Sequence, residues 1–446
     1  MRRSRLALYL VALTMVALSG CKKPESWVEI NESGLRLFKA GQYREAEVRL
    51  KEAVLMAEKS KDGGAELTES LEALGMLYYA QKDHGNAQAM ISRALALREK
   101  NPASPKDSAA QERLASDLAV LADCNFQQGR LSVSEKLYKR AIEHLQKASM
   151  DECATMAISV SGLGLVYQET GKLEEAEREQ RLALELADKD PAVDTRRRAL
   201  MLANLGNLLM ARKKTGEAEK AFKQAIEIVE AEKDKSETAS DPVTAEALSR
   251  LAEIYSASGK ESKAIDLLER AIAMRETLFG DTSAPAIDTV DQLARIYRDQ
   301  GNWSRAQACY KRILSARTLT LGADHIDTSK TMSELARIYL KTGRLKEAEP
   351  LFVKALAVQE NAQGAASPLL LSTTLGYAGL LTEEGRLDQA DDCFQRALTM
   401  SERLWGREDP RILPALEGFT VLLVKRNLMD QARILEERAE AIKKAD

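Results

Sequence analysis

Aromatic residues and histidines are scarce in this chain. Aromatic residues account for 5% of its 446 residues, which argues against a sheet protein because strands favour aromatic and β-branched side chains. The three histidines, His84, His144 and His325, lie far apart in the sequence. A metal site needs three or four converging ligands. We therefore predict no metal site, no cofactor and no catalytic histidine.

The chain also lacks an excess of charge of either sign. It carries 65 basic and 68 acidic residues, a net charge of −3. Nucleic-acid binding needs a strongly basic face, so this balance argues against a nucleic-acid partner. The pair Gly162 and Gly164 follows no predicted strand, which argues against a dinucleotide site. We predict a protein that is not an enzyme and has no small-molecule substrate.

Residues 1–20 have the pattern of a signal peptide. Arg2, Arg3 and Arg5 form a basic start, and residues 6–18 are apolar except for Thr14. This run has about 13 residues, fewer than the roughly 20 that a helix needs to span a bilayer. Small residues and Cys21 follow at once. We predict that residues 1–20 are removed and that residues 21–26 form an anchor and linker.

The segment Leu18-Ser19-Gly20-Cys21 resembles the lipobox of bacterial lipoproteins. The resemblance implies that Cys21 is acylated and becomes the new amino terminus. Several acyl chains then hold the protein on a membrane, because one chain gives only reversible anchoring. Since Lys22 is not an aspartate, the sorting rules of such lipoproteins point to the outer membrane, facing the periplasm, in a Gram-negative host. In a host with one membrane, the anchor would lie on its outer face. The alternative is an ordinary secretion signal with a coincidental cysteine.

A turn residue recurs along the rest of the chain at nearly constant spacing. Six of the nine intervals between successive turn residues share one length of about 42 residues, which is within the range of repeat architectures. Glycine and asparagine tolerate the positive φ that ends a helix, so we expect the two lysine turns to be frayed or differently built. The ten turn residues are Gly41, Lys82, Gly129, Gly171, Lys213, Gly259, Gly301, Gly343, Gly385 and Asn427.

Each unit has the pattern of two amphipathic helices, helix A before the turn residue and helix B after it. In most units a leucine lies eight residues before the turn residue and a glycine or alanine lies seven before it, as at Leu74 and Gly75. Alanine lies five residues after the turn residue in every unit but one, where Ser134 replaces it. Helices approach closely only where side chains are small. We therefore expect these small residues to face each other.

The order of small residue, tyrosine, turn glycine and alanine resembles the tetratricopeptide repeat. The usual period is about 34 residues. The longer period here, with linkers at 321–325 and 405–409, is similar to the repeats of kinesin light chain. The resemblance covers residues 27–446 and implies an all-α fold, a right-handed α-solenoid of about ten helix-turn-helix hairpins. We expect the last repeat to act as a cap, because Glu436 and Glu440 stand where earlier units are apolar.

Four cysteines remain after Cys21. Cys309 and Cys393 hold equivalent positions two units apart, and repeats that stack about 10 Å apart place them beyond the roughly 7 Å between Cα atoms that a disulfide allows. Cys124 and Cys153 are expected near opposite ends of adjacent helices. We predict four free, partly buried thiols. Such thiols are unusual in an oxidising compartment and count weakly against export.

The concave groove of such a solenoid is lined by helix A, as the resemblance implies. The face opposite the core stripe lies thirteen, ten, six, three and two residues before each turn residue, and it is apolar in the N-terminal half and charged in the C-terminal half. Asn207 would hydrogen-bond the ligand backbone, as asparagine does in related repeats. Alternatively, tight coiling or residues 22–28 cover the apolar stripe. The predicted binding residues are Phe38, Met76, Tyr79, Phe126, Leu165, Asn207 and Met210 in the apolar half, and Glu253, Asp291, Arg295, Arg298, Arg337 and Lys341 in the charged half.

These features predict a scaffold that binds protein or peptide partners of an envelope complex and is held on the membrane by its N-terminal lipid. The apolar half of the groove would take an apolar peptide or helix, and the charged half would select partners electrostatically. Two other functions stay open: a transient co-chaperone or regulatory adaptor for secreted clients, and a cytoplasmic adaptor. An enzyme would need converging polar residues with perturbed pKa values, and the sequence shows none.

Overall fold

The computed structural model describes residues 25–60, 64–102, 104, 107–232, 241–363 and 366–445. These residues form twenty α-helices and no strand, so the predicted all-α class is confirmed. The predicted signal peptide and Cys21 lie outside the described residues. Within the described residues, no helix combines the length and the apolar character that crossing a membrane requires.

The helices divide between two compact units, Met1–Ala221 and Phe222–Asp446, and the division falls inside one helix. The first nine helices belong to unit 1: α1 Trp27–Lys39, α2 Tyr43–Lys59, α3 Gly64–Ala80, α4 His84–Lys100, α5 Ser108–Gln127, α6 Leu131–Lys147, α7 Ala154–Glu169, α8 Leu173–Lys189 and α9 Thr195–Ala211. The helix that contains the division is α10 Thr215–Glu230. Unit 2 contains α11 Pro242–Ala257, α12 Glu261–Phe279, α13 Ala284–Asp299, α14 Trp303–Leu321, α15 Ile326–Lys341, α16 Leu345–Gln363, α17 Pro368–Glu383, α18 Leu387–Trp405, α19 Leu413–Lys425 and α20 Met429–Ala445.

Within unit 1, from α1 to α9, and within unit 2, from α11 to α20, helices that follow one another pack together, and the odd-numbered helices are the A helices. In unit 1, α1, α3, α5, α7 and α9 also touch in that order, and in unit 2 the same is true of α15, α17 and α19. Where successive A helices contact one another, they form a continuous surface within the unit. This surface is where a groove can form.

All ten predicted turn residues have a positive φ, between 59° and 77°. The expectation that the two lysine turns would differ is wrong. Lys82 has φ 61° and Lys213 has φ 59°, and the next amide bonds back to the helix as it does after a glycine. The amide of Lys214 donates to the carbonyl of Leu209 at 2.8 Å, the same distance as the corresponding bond after Gly301. Packing of the two helices therefore overrides the strain of about 1–2 kcal/mol that a lysine has in this conformation.

Helix A and helix B approach each other closely, as predicted, but the prediction that the small residues face each other is wrong: the helix A glycine faces the larger side chain nine residues after the turn residue. A Cβ atom added at Gly75 would lie 2.6 Å from the Ile91 side chain, and one added at Gly34 would lie 2.7 Å from Leu50. The alanine five residues after the turn is fully buried, as at Ala87 and Ala264. A larger residue in place of Gly34 or Gly75 would push the two helices of that hairpin apart.

A buried arginine sixteen residues after the turn residue joins one hairpin to the next. Arg275 in α12 is 8% exposed. Its guanidinium donates to the carbonyl of Pro285 at 3.1 Å and to the hydroxyl of Thr289, both in α13, and pairs with Glu246 of α11 at 2.5 Å. Arg317 in α14 likewise donates to the hydroxyl of Thr331 in α15 at 2.9 Å. The sequence analysis did not detect this connection.

The equivalent arginine of unit 1 is shared by two carboxylates. Arg98 in α4 pairs with Glu72 of α3 and lies 3.0 Å from Asp117 of α5. Burial, together with the nearby charge of Glu72, raises the pKa of Asp117 to about 8 against the opposing effect of Arg98. One guanidinium thus holds three successive helices of unit 1 together.

The four described cysteines are free, as predicted, with Cys124 buried and the other three partly buried. Burial raises the pKa of the Cys124 thiol to about 11, which keeps it protonated and unreactive at neutral pH. In the last hairpin, Glu436 and Glu440 are exposed, in line with a cap. The same hairpin also exposes Val421 and Ile434, so its outer surface is not uniformly polar.

Candidate partner-binding grooves

An apolar cavity of about 340 Å³ opens on the A helices of unit 1. We call it the apolar cavity. Its exposed apolar side chains are Met76 of α3 and Leu200 of α9, and half-buried Ile158 and Leu165 of α7 continue the lining between them. The remaining lining residues are Tyr79, Ser116, Ala119, Val120, Asp123, Tyr138, Thr155, Ser161, Gly162, Arg197, Met201 and Asn204.

The lining crosses the A helices obliquely. In α3 it uses residues six and three before the turn residue, Met76 and Tyr79. In α9 it uses residues sixteen to nine before the turn residue, from Arg197 to Asn204. A set of five positions that is the same in every unit does not follow this shift along successive helices, so the predicted residues overlap the cavity lining only in part.

The apolar half of the predicted residue set is therefore divided. Met76, Tyr79 and Leu165 come together in the cavity. Outside its lining, Phe38 packs near Tyr43, with ring centroids 6.0 Å apart, and Phe126 packs on a core cluster between the hairpins. Asn207 and Met210 are half-buried near the end of α9. The asparagine that does line the cavity is Asn204, one helical turn earlier.

Tyr138 and Gly162 form part of the cavity wall, and the sequence analysis missed both. Tyr138 lies on helix B of its hairpin, and only helix A was considered for the groove. A Cβ atom added at Gly162 would lie 2.2 Å from the Tyr138 ring, so the ring reaches the cavity only because Gly162 has no side chain. The sequence does contain a signal for this contact. Gly162 is an additional glycine, two residues before Gly164, which is the small residue that the repeat pattern predicts.

The polar groups of the apolar cavity are mostly engaged within the protein. The hydroxyl of Ser161 donates to Gln180, and the amide of Gln180 donates back to the Ser161 carbonyl at 2.9 Å. The Tyr79 hydroxyl donates to Asp123. Burial, followed by the charge of Asp123, raises the pKa of Tyr79 well above its ordinary value, so its hydroxyl stays a donor.

Two adjoining charged cavities, of about 300 and 410 Å³, lie on unit 2. They bring together five of the predicted charged residues. Glu253 lies outside both and pairs with Arg250 at 3.3 Å. The first cavity contains Asp291, Arg295, Arg298, Tyr310, Arg317, Lys330, Thr331 and Glu334, and the second contains Arg298, Asp299, Trp303, Glu334, Arg337, Ile338 and Lys341.

Most charges in these two cavities are paired with one another. Arg298 lies 3.0 Å from Glu334, and Arg295 pairs with Asp291. Lys330 and Lys341 have no ion-pair partner among the described residues. A bound acidic group could therefore pair with either lysine without breaking an existing ion pair.

Models of the tetratricopeptide repeat match residues 112–189, 152–231, 197–277 and 286–361, and a second model of this repeat matches residues 68–101. The chain belongs to the tetratricopeptide-repeat (TPR) family. No curated protein matches it. Within the described residues, no group of three or more His, Cys, Asp or Glu side chains could hold a metal ion.

Solved structures of similar fold include BtubC, a putative kinesin light chain and the quorum sensor NprR. BtubC from P. vanneervenii is 20% identical with a TM-score of 0.43, covering 58% of this chain and 94% of BtubC. A putative kinesin light chain from Podospora anserina is 21% identical with a TM-score of 0.40, covering 46% and 96% of the two chains. The quorum sensor NprR from B. thuringiensis is 14% identical with a TM-score of 0.52, covering 80% and 95%. Identities this low show the fold alone.

The contact between Gly162 and Tyr138 predicts different effects for alanine at two helical glycines. Gly162→Ala should lower the stability of the protein by about 1–3 kcal/mol, because the added methyl group overlaps the Tyr138 ring. Gly379→Ala is the control, since its Cβ would meet only Leu340 at 3.7 Å, and removing a helical glycine should stabilise by about 0.5–1 kcal/mol. Urea denaturation followed by circular dichroism measures both. Equal stability of the two variants would contradict the tight contact.

Proposed function

We propose that this TPR protein is an exported, lipid-anchored scaffold that holds partner proteins by binding an apolar segment of them in the apolar cavity. The observation that carries the proposal is the cavity itself, an open surface that leaves Met76 39% and Leu200 48% exposed. Covering a large apolar side chain completely contributes about 1.5–3 kcal/mol, and partial exposure reduces this to about 1 kcal/mol for each of the two. Exposed apolar surface of this kind is typical of a recognition site.

The charged cavities of unit 2 would add selectivity to this binding. Lys330 and Lys341 are available to pair with acidic side chains of the partner. Ion pairs at such exposed sites add little affinity, but they discriminate against partners with the wrong charge. In this proposal, unit 1 supplies most of the binding free energy and unit 2 contributes to the choice of partner.

Export and anchoring are supported by the sequence from Met1 to Cys21. The basic start, the apolar run, the small residues and Cys21 occur in the order and spacing that a lipoprotein signal requires. Acylation of Cys21 would leave the solenoid tethered at its N-terminal end by a short linker. We expect the outer membrane, facing the periplasm, in a Gram-negative host, and partners that belong to an envelope complex.

Binding through the apolar cavity is tested with two leucines of unit 1. Leu200→Glu places a charge in the cavity and should abolish the capture of partners that wild type crosslinks in membranes of the native host. Leu182→Glu is the matched control, because Leu182 is 42% exposed on α8, outside the cavity lining. The readout is the set of crosslinked proteins identified by mass spectrometry. If both variants capture the wild-type set, binding does not use the cavity.

Anchoring is tested separately with Cys21→Ala. This variant should move from the membrane fraction to the soluble fraction, because it lacks the acylated thiol, and it should lose the envelope partners that depend on membrane proximity. Fractionation and mass spectrometry of the amino terminus give the result. Wild-type protein found in the soluble cytoplasmic fraction with residues 1–20 intact would exclude the lipoprotein and favour a cytoplasmic adaptor.

A further inference from the structure

One carboxylate stands without a cation in the apolar cavity. Asp123 lies on α5, six residues before the turn residue Gly129, and is half-buried. The Tyr79 hydroxyl donates a hydrogen bond to its Oδ2 atom at 2.5 Å. Among the described residues, no lysine, arginine or histidine forms an ion pair with Asp123. The one cationic residue of the lining, Arg197, lies on α9 and is 3.7 Å from Asp194.

Several other carboxylates of the solenoid have cationic partners, whereas Asp123 has none among the described residues. Elsewhere, partly buried carboxylates such as Glu72 and Asp117 share an arginine, and Glu177 pairs with Arg181, Arg212 and Lys214. Asp123 has only a neutral hydroxyl donor. The apolar cavity therefore contains a carboxylate that receives a hydrogen bond from this hydroxyl and has no cationic partner among the described residues.

An occupant that fills the cavity excludes water from the Asp123 carboxylate. A partly buried charge that loses its hydration destabilises the complex unless an opposite charge replaces the water. Among the described residues no cation is placed to do this at Asp123, so the bound segment has to supply it. The apolar residues on either side, Ala119, Val120 and Leu165, determine the rest of the ligand's chemistry.

We propose that Asp123 is a specificity-determining residue that binds a cationic group of the partner segment. The ligand is then an apolar peptide segment with a positive charge beside its apolar side chains, either a lysine or arginine side chain or a free amino terminus. This proposal rests on the proposed function of the apolar cavity. Arg197, at the α9 end of the same lining, would receive an acidic group and so fix the direction in which the segment lies.

The test is a selection of random decapeptides by display on the full chain in detergent, carried out in parallel on wild type, Asp123→Asn, Asp123→Lys and Leu200→Glu. Asp123→Asn keeps the size of the side chain and an acceptor for the Tyr79 hydroxyl. Wild type should enrich peptides that carry Lys or Arg beside Leu, Ile or Phe. The enrichment of the basic residue should vanish with Asp123→Asn and change to Asp or Glu with Asp123→Lys.

Selected peptides are then resynthesised to distinguish the two sources of the cation. One version has an acetylated amino terminus, and in another each Lys or Arg is replaced by Gln. Removing the group that pairs with Asp123 should weaken binding to wild type about tenfold and leave binding to Asp123→Asn nearly unchanged. Binding to wild type should also weaken at higher salt more than binding to Asp123→Asn does.

The possible outcomes separate this inference from the proposed function. Neutral apolar peptides that bind wild type and Asp123→Asn equally, and fail on Leu200→Glu, would overturn the role of Asp123 and leave the apolar cavity as the binding site. If the selection yields no peptide whose binding depends on Leu200, both the role of Asp123 and the proposed function of the apolar cavity are overturned. Basic apolar peptides that lose their advantage with Asp123→Asn support both.

Discussion

The close approach of two helices at a glycine or alanine is the contact on which the rest of the structure depends. At Gly75 and Gly34 the partner side chain lies where a Cβ atom would be. This contact sets the rotation of each A helix about its axis, so that one face is held against helix B and another is left open. The turn residue joins helix A to helix B and must have a positive φ for the two helices to make this contact. This requirement explains why even lysine adopts a positive φ at Lys82 and Lys213.

Repetition of this hairpin could be predicted from the sequence because it depends on single residues at fixed spacing. The ten turn residues, the small residues of helix A and the buried alanines of helix B all lie where the periodicity indicates. The prediction for the two lysine turns was wrong because it considered only the backbone preference of lysine and not the packing of the two helices. The arginines at Arg98, Arg275 and Arg317 were missed because their partners lie on neighbouring helices. Asp117, Thr289 and Thr331 each lie twelve residues before the next turn residue, a relation that appears only when consecutive units are compared.

The groove was only partly predictable for a related reason. The face of an A helix that points away from helix B follows from the sequence of that helix, and this places Met76, Tyr79 and Leu165 in the cavity. Which residues of that face line the cavity depends on how far successive A helices are shifted along their axes. The sequence of a single repeat does not contain this information. Hence Asn204 lines the cavity and Asn207 does not. Tyr138 enters from helix B, where Gly162 leaves room for it.

Structure and recognition depend on different faces of the same helices. Buried Arg275 and the small residues of helix A hold helices and successive hairpins together and are nearly inaccessible to a partner. The open faces carry the exposed apolar residues, Asp123, and the two lysines of unit 2 that are available to a partner. A change on the open faces should therefore alter binding while the hairpins remain intact, which allows the two roles to be separated experimentally.

Site-specific photocrosslinking tests the central claim, that the apolar cavity is the contact surface for the partner, most directly. A benzophenone amino acid replaces Met76, which lines the cavity and is 39% exposed, or Met56 of α2, which is 38% exposed and lies outside the cavity. Illumination in native membranes followed by peptide mapping identifies what each position touches. The account predicts one short apolar segment of a partner crosslinked at position 76 and not at position 56. Crosslinking at position 56 alone, or equally at both, would contradict it.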